Sequence, residues 1–348
     1  MELQFESLTN ILPAIRGRAS SLDRSGDWPT DDLHDLGAIG AWQWFVPAEF
    51  GGDGVDPLEL HLRYEAIASA SLATALIVSQ RDSAVGLIEG SENHQLREEL
   101  LPGLARGEFF STIGIAQLTT SRQGGLRASR DGDGSHFRLN GVIPWCTGAA
   151  KAKFIVAGAV AEDGQQILFA LPTDLPGVAA GSPLELVSLR SSWTSRVELT
   201  AVRLESRWIL RGPVAKALSG RSKGIPLGQT FLAFGLCRGA LELMAADHSP
   251  RAISLAARFN ERLSELRGEI LEICRSGRET DAGPALRAAC NDLTLRITQS
   301  LVTLRKGSAL LLDDPAQRLA REALFFLVWS CPDPVIDCTI DLLRGKLE

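Results

Sequence analysis

The 348-residue sequence predicts an α+β protein of several domains: an N-terminal helical domain over 1–108, a middle antiparallel β-barrel over 109–215 and a C-terminal four-helix bundle over 216–348. Three observations predict it. Before residue 108, apolar residues recur at three- and four-residue spacing. From Phe110 to about Val214, β-branched runs of five to eight residues alternate with Gly, Asp and Pro. After Pro226 the helical period returns and holds to the end. The length allows two or three cooperating modules and a substantial core.

Taken in order, Asp31 to Gly40 opens on acidic residues and closes on glycine, the polarity of a short helix, because carboxylates complement the positive end of the helix dipole. Leu58, Leu62, Ala66, Ala70 and Ala73 place one long, largely buried helix from Pro57 to about Leu76. Pro102-Gly103 and Gly107 break the pattern before Phe109. Arg127 to Asn140 reads as strand, turn, strand, with Asp131-Gly132-Asp133-Gly134 supplying the positive φ angles of the tip. Runs at 154–160, 167–171 and 197–204 extend a barrel or sandwich. Segments 232–246, 253–275, 285–312 and 319–329 form the bundle, interrupted at Gly283-Pro284 and at Asp313-Asp314-Pro315. The Gly/Leu/Ala register of that bundle fits a self-association face or ordinary core packing equally.

Composition narrows the function. A net charge of −6, a pI near 5.5 and dispersed Arg and Lys argue against nucleic-acid binding. With 45% hydrophobic residues and a mean hydropathy of +0.05, the chain reads as a globular protein, and no apolar run reaches the roughly 18 to 20 residues of a membrane span. The start lacks a basic and apolar leader, so a cytoplasmic location is expected. The six cysteines and five histidines lack zinc spacing, so no metal site is expected and the thiols read as buried or idle. Gly51-Gly52-Asp53-Gly54 has no strand–helix unit around it and reads as a turn.

Chemistry concentrates at Gly141 to Gly148, where the strand delivers the Trp145 indole and the Thr147 hydroxyl two residues apart, hence on one face. An aromatic plane beside a hydrogen-bond donor suits the edge of a planar heteroaromatic cofactor; the alternative is a core tryptophan with a strand threonine.

The surrounding motifs resemble the acyl-CoA dehydrogenase family of flavoproteins. Trp145-Cys146-Thr147 is similar to its "Trp-x-Thr", and Gly114 to Ser121 stands where the family has an "x-Thr-Glu-Pro" strand. Val46 to Gly54 resembles "Val-Pro-Glu-x-Tyr-Gly-Gly-x-Gly", and Leu189 to Ser195 resembles "Leu-Gly-x-Arg-x-Ser-x-Thr". Gly235 to Leu241 resembles "Gly-x-x-x-Gly-x-Leu", and Pro315 to Ala323 resembles "Pro-x-x-x-x-x-Arg-Asp-Ala". The series runs in order from about residue 30 to the C-terminus.

The resemblance implies FAD as cofactor, an acyl-CoA or other acyl thioester as substrate, a role in lipid metabolism, and a homo- or hetero-oligomer formed through the bundle. Trp145 and Thr147 match positions that contact the isoalloxazine ring; Ile115, Ala116 and Gln117 match the strand lining its pyrimidine side; Gly307 falls where a glycine approaches a partner subunit's flavin. The family's reaction needs a carboxylate base. Counting nine residues from Arg321 lands on Ser330, a hydroxyl that is no base near neutral pH without a His or Lys beside it. The alternative base position holds Gln229, and Thr230 replaces an arginine that serves CoA. Arg251 and Arg258-Phe259 are the candidates for a flavin-diphosphate grip, Arg318 and Arg321 for bundle ion pairs, and Trp193 for an acyl-pocket wall or core filler. The expectation is a flavin oxidoreductase with altered or absent α,β-dehydrogenation. The alternatives are a non-catalytic partner subunit and a flavin monooxygenase on the same fold, with FMN as its cofactor.

Overall fold

The computed structural model describes residues 2–119, 125–130, 135–218, 227–277 and 281–345. The hairpin tip 131–134 and the end of the 114–121 motif lie outside them.

Five helices come first: α1 (Glu2–Ser25), α2 (Thr30–Ala38), α3 (Pro57–Ala70), α4 (Leu72–Glu89) and α5 (His94–Ala105). The single helix expected from Pro57 to Leu76 is two. Ser71 takes an extended conformation and its hydroxyl accepts from the Thr74 amide, so a cap residue divides one apolar stripe into α3 and α4. Pro102 does not end α5, which continues to Ala105; proline is tolerated there because little helix follows it. Gly107, at φ +66°, makes the stop.

The middle region holds β1 (Phe110–Gly114), a helical turn α6 (Ala116–Thr119), β2 (Arg127–Arg130), β3 (His136–Cys146), β4 (Ala152–Ala161), β5 (Gln166–Pro172), β6 (Val178–Ala180), β7 (Ser195–Glu205) and β8 (Ile209–Val214). These strands form one eight-stranded sheet in the order β6-β7-β3-β2-β4-β5-β8, with β1 also on β4. Most pairings are antiparallel. The exceptions are β1 and β2, which share one edge of β4 and run parallel to it, β1 along Ala152–Ala157 and β2 at Val160 and Ala161.

Five helices complete the chain: α7 (Thr230–Ala245), α8 (Pro250–Ser276), α9 (Gly283–Arg305), α10 (Pro315–Ala323) and α11 (Asp333–Arg344). The third predicted segment stops at Arg305 rather than 312, and α11 joins the four predicted helices as a short fifth one packed on α9. Pro332 and Pro334 both lie at its start, where proline is tolerated.

Two cores result. Leu8, Ile67, Phe231, Phe234, Leu293 and Phe326 belong to one that unites the first and last helices. The sheet, α4 and the apolar face of α5 enclose the other. The glycine register of α7 resolves toward intrachain packing: a Cβ on Gly235 or Gly239 would lie 2.3 or 2.5 Å from the Glu65 or Ser69 carbonyl oxygen of α3. Buried Glu65 ties the same seam together, accepting from Arg238 at 3.0 Å and Arg267 at 2.9 Å. All six cysteines are unpaired. Among the described residues no helix is long and apolar enough to cross a membrane, and no cluster of His, Cys, Asp and Glu could hold a metal ion.

Candidate functional site

The predicted residues fall into two groups, an edge of the sheet and a corner of the bundle. At the edge, β3 carries one residue more than β7 between the pairs Ile143–Val197 and Cys146–Ser195. Such a bulge re-aims side chains, and Pro144 within it has no amide to give the ladder. Trp145 is thereby turned outward, 48% exposed, with no aromatic or cationic neighbour among the described residues. The strand ends at Cys146, so Thr147 does not share the tryptophan's face as strand alternation predicts. It lies buried in the turn that follows.

That turn is clasped by the 189–194 loop. The Gly148 amide donates to the carbonyls of Ser192 (3.0 Å) and Trp193 (3.2 Å). Gly148 itself needs φ +63°, and a Cβ there would meet the Trp28 and Phe110 rings. Leu189 and Trp193 hold φ +58° and +47°, a strained pair that persists only where packing dictates it. Three hydroxyls line up behind the turn: Ser192 Oγ lies 2.8 Å from Thr194 Oγ1, which lies 3.2 Å from Thr147 Oγ1. Trp193 is an anchor. Its indole N–H donates to the Gly26 carbonyl at 2.9 Å, and its ring packs on Trp28 and under the Lys151 ammonium.

Ile115, Ala116 and Gln117 are not a strand, because β1 ends at Gly114. Ile115 and Ala116 are half-buried in the connection that leaves the sheet where β1 releases β4. Gln117 points inward. Its amide nitrogen donates to Gly114 O at 2.7 Å and Gly158 O at 2.9 Å, filling the gap between β1 and β2 along β4. The side chain in place of the family's acid is therefore a sheet bridge.

The corner joins the two positions at which sequence comparison places a base. Arg287 of α9 donates through Nη1 to Gln229 Oε1 at 2.5 Å and through Nη2 to the Trp329 carbonyl at 3.1 Å. Ser330 follows, exposed and at φ +50°. Burial lowers the Arg287 guanidinium from its ordinary value. On the α7 side, Thr230 turns its hydroxyl back to the Leu227 carbonyl. His61 of α3 stacks on Phe231 with ring centroids 5.7 Å apart, and burial pushes its pKa down to about 4, so the ring is neutral at pH 7. No hydrogen bond or ring contact joins corner to edge among the described residues.

Residues 13–108 match the family model "Acyl-CoA dehydrogenase, N-terminal domain". The probable acyl-CoA dehydrogenase YngJ of Bacillus subtilis is 28% identical over 242 residues, 67% of this chain and 63% of that relative. The chain is similar in sequence to the acyl-CoA dehydrogenase family. Solved structures share the fold throughout. A glutaryl-CoA dehydrogenase from Mycobacterium smegmatis, in complex with FADH2, gives a TM-score of 0.83 at 22% identity, over 100% of this chain and 95% of that one. The dibenzothiophene monooxygenase TdsC from Paenibacillus gives 0.82 at 18%, over 99% and 97%.

The remaining predicted positions lie apart. Gly307 sits in an exposed turn beside Leu310, Leu311 and Leu312, with no atom within 4 Å of where its Cβ would be. Arg251 and Arg258 are exposed on α8. Arg318 pairs with Glu322 at 3.0 Å, and Arg321 pairs with Asp23 of α1 at 2.5 Å. Sequence reasoning missed Arg287, and it placed Ser192 and Thr194 in the Leu189 to Ser195 motif without joining them to Thr147. The first had a signal, a lone charge in the run Leu286 to Cys290; the hydroxyls had one in the motif, but nothing in the sequence brings them to Thr147.

Proposed function

We propose that this chain is a flavin-dependent oxidoreductase for an acyl thioester in which ordinary α,β-dehydrogenation is altered or absent. The corner carries this reading: Gln229 and Ser330 present an amide and a hydroxyl where a base is required. No histidine or lysine hydrogen-bonds Ser330 among the described residues, so nothing activates it. Loss of a general base lowers a rate by roughly 10²- to 10⁴-fold.

FAD fits the edge. The outward Trp145, without a ring or cationic partner among the described residues, offers an aromatic face, Thr147 a hydroxyl already positioned by Thr194, and Ile115 and Ala116 a half-buried stretch of connection. A bound flavin would supply a hydride acceptor; the chain's own part is to hold and orient its ring and to keep water from it. Assembly through the bundle is supported by apolar side chains left uncovered, with Leu310 79%, Leu311 62%, Leu312 66% and Val328 77% exposed. Gly307 lies in the same turn, the placement expected if a partner's cofactor reaches it.

The protein purified with FAD is expected to be yellow, and Trp145→Ala to retain less flavin. Anaerobic butyryl-CoA should leave the wild type unbleached, whereas Ser330→Glu should gain bleaching. A preparation that stays colourless with added FAD overturns the reading in favour of a non-catalytic partner subunit. A flavin monooxygenase using FMN is the second reading, favoured by the same missing base, which that chemistry does not require; TdsC is a monooxygenase also solved with FMN bound. Bleaching by a flavin reductase but not by any acyl-CoA would select it.

A further inference from the structure

The corner has a chemistry of its own beyond the missing base. Arg287 is 1% exposed, yet neither group it hydrogen-bonds is a carboxylate, and its Nε has no partner among the described residues. Asn291, four residues on and so on the same face of α9, is as buried and leaves both amide atoms unpaired among the described residues; it lies near enough to Cys331 to influence that thiol without a well-formed hydrogen bond. His61 closes the far side. A Cβ on Gly228, the residue before Gln229, would lie 2.1 Å from its Nε2, and its Nδ1 is likewise unpaired.

Buried polar atoms are ordinarily satisfied, so unpaired ones gathered around two neighbouring helix ends mark a place where something else supplies the partners. Charge decides what. Water would satisfy the donors but leave a desolvated cation without a counter-ion. A carboxylate does both, since its two oxygens match the guanidinium fork. An amide oxygen, that of Gln229, already sits on Nη1 in the manner of a carboxylate oxygen without its charge.

We propose that Arg287, with Asn291 and Gln229, is a receptor for a carboxylate group of the ligand. Gln229 is half-buried and Ser330 exposed, so these two form the mouth, and Gln229 turns aside as the carboxylate enters. Two sources carry this chemistry, a free acid and the far end of a carboxylate-terminated acyl thioester. The second rests on the acyl-thioester reading above; the first does not.

The test is thermal unfolding of the full chain at constant ionic strength set with chloride, with flavin absorbance recorded in each sample. Propionate should raise the unfolding temperature saturably and propionamide should not. Arg287→Met should weaken the response at least about tenfold, as loss of a charged hydrogen bond does. Gln229→Glu, which places a carboxylate on Arg287 from within the chain, should abolish it. A larger rise with succinyl-CoA than with butyryl-CoA assigns the thioester source; equal rises beside an active propionate assign the free acid. Equal responses to propionate and propionamide, or an Arg287→Met protein responding like wild type, overturn the proposal. If Arg287→Met does not fold, a Gln229→Glu protein responding like wild type overturns it. A colourless protein that still responds to propionate defeats the flavin reading alone, and a yellow one that ignores every carboxylate defeats this one alone.

Discussion

Edge and corner are held in opposite ways. At the edge, backbone does the holding: the Gly148 amide reaches two carbonyls, two non-glycine residues are pinned at positive φ, and three hydroxyls satisfy one another. At the corner a single side chain, Arg287, spans two helix ends and leaves donors unpaired. The difference teaches where change is tolerated. A site made of strained backbone is over-determined by the packing around it and changes only at the expense of the fold. A site made of side chains at helix ends changes residue by residue on an intact scaffold. On the reading proposed above, a chain that keeps Trp145 and Thr147 while carrying Gln229 and Ser330 at the corner follows from that asymmetry.

The largest expected effect breaks the edge. Gly148→Ala would place a methyl 2.8 Å from Trp28 and 3.0 Å from Phe110 at a φ of +63°. The two rings pack edge-on against each other, and Trp28 is backed by Trp193. The left-handed conformation and the overpacking together should destabilise by about 2–4 kcal/mol. Urea unfolding reads this directly, and a loss below about 1 kcal/mol would mean that the clasp around Thr147 is loose.

The corner should show itself in the pH dependence. Burial depresses the His61 pKa from 6.5 to about 4. Between those values the unfolded chain binds a proton that the folded chain refuses, so stability falls as pH drops from about 6.5 toward 4 and is fully present above. The loss is on the order of 2–3 kcal/mol. His61→Phe keeps the stacking on Phe231 and removes the titration. The stability difference between wild type and variant, followed by denaturant unfolding across that range, should therefore carry the slope; parallel curves would remove His61 from the account.

The sequence made some of this legible. Periodicity was enough for the helix, sheet and helix order, because the 3.6- and 2-residue repeats differ over long segments. It was not enough for the division at Ser71, which depends on one hydroxyl capping an amide, nor for the parallel seating of β1 and β2 on β4. Trp145 and Thr147 were readable as a pair. Their divergence was not, because a bulge is defined only by register against β7. Gln229 and Ser330 were readable as two departures from a family pattern. That one arginine serves both was not, since its partners lie 58 and 42 residues away in sequence and meet only through packing of α7, α9 and the turn after α10.

Gly307 gives the smallest effect on the chain and the sharpest separation of intrachain from intersubunit roles. Gly235 of α7 has an α3 carbonyl where a Cβ would go, whereas Gly307 has open space and no positive φ to maintain. Gly307→Ala should therefore leave the stability of the isolated chain within about 0.5 kcal/mol of wild type, as surface substitutions do. If a partner subunit brings its cofactor against this turn, the same methyl should lower flavin retention in the assembled protein, measured as absorbance per chain after gel filtration. Unchanged stability with lowered retention places the glycine at the interface. Unchanged retention would leave the turn a plain connection between α9 and α10 and the edge to hold the cofactor without it.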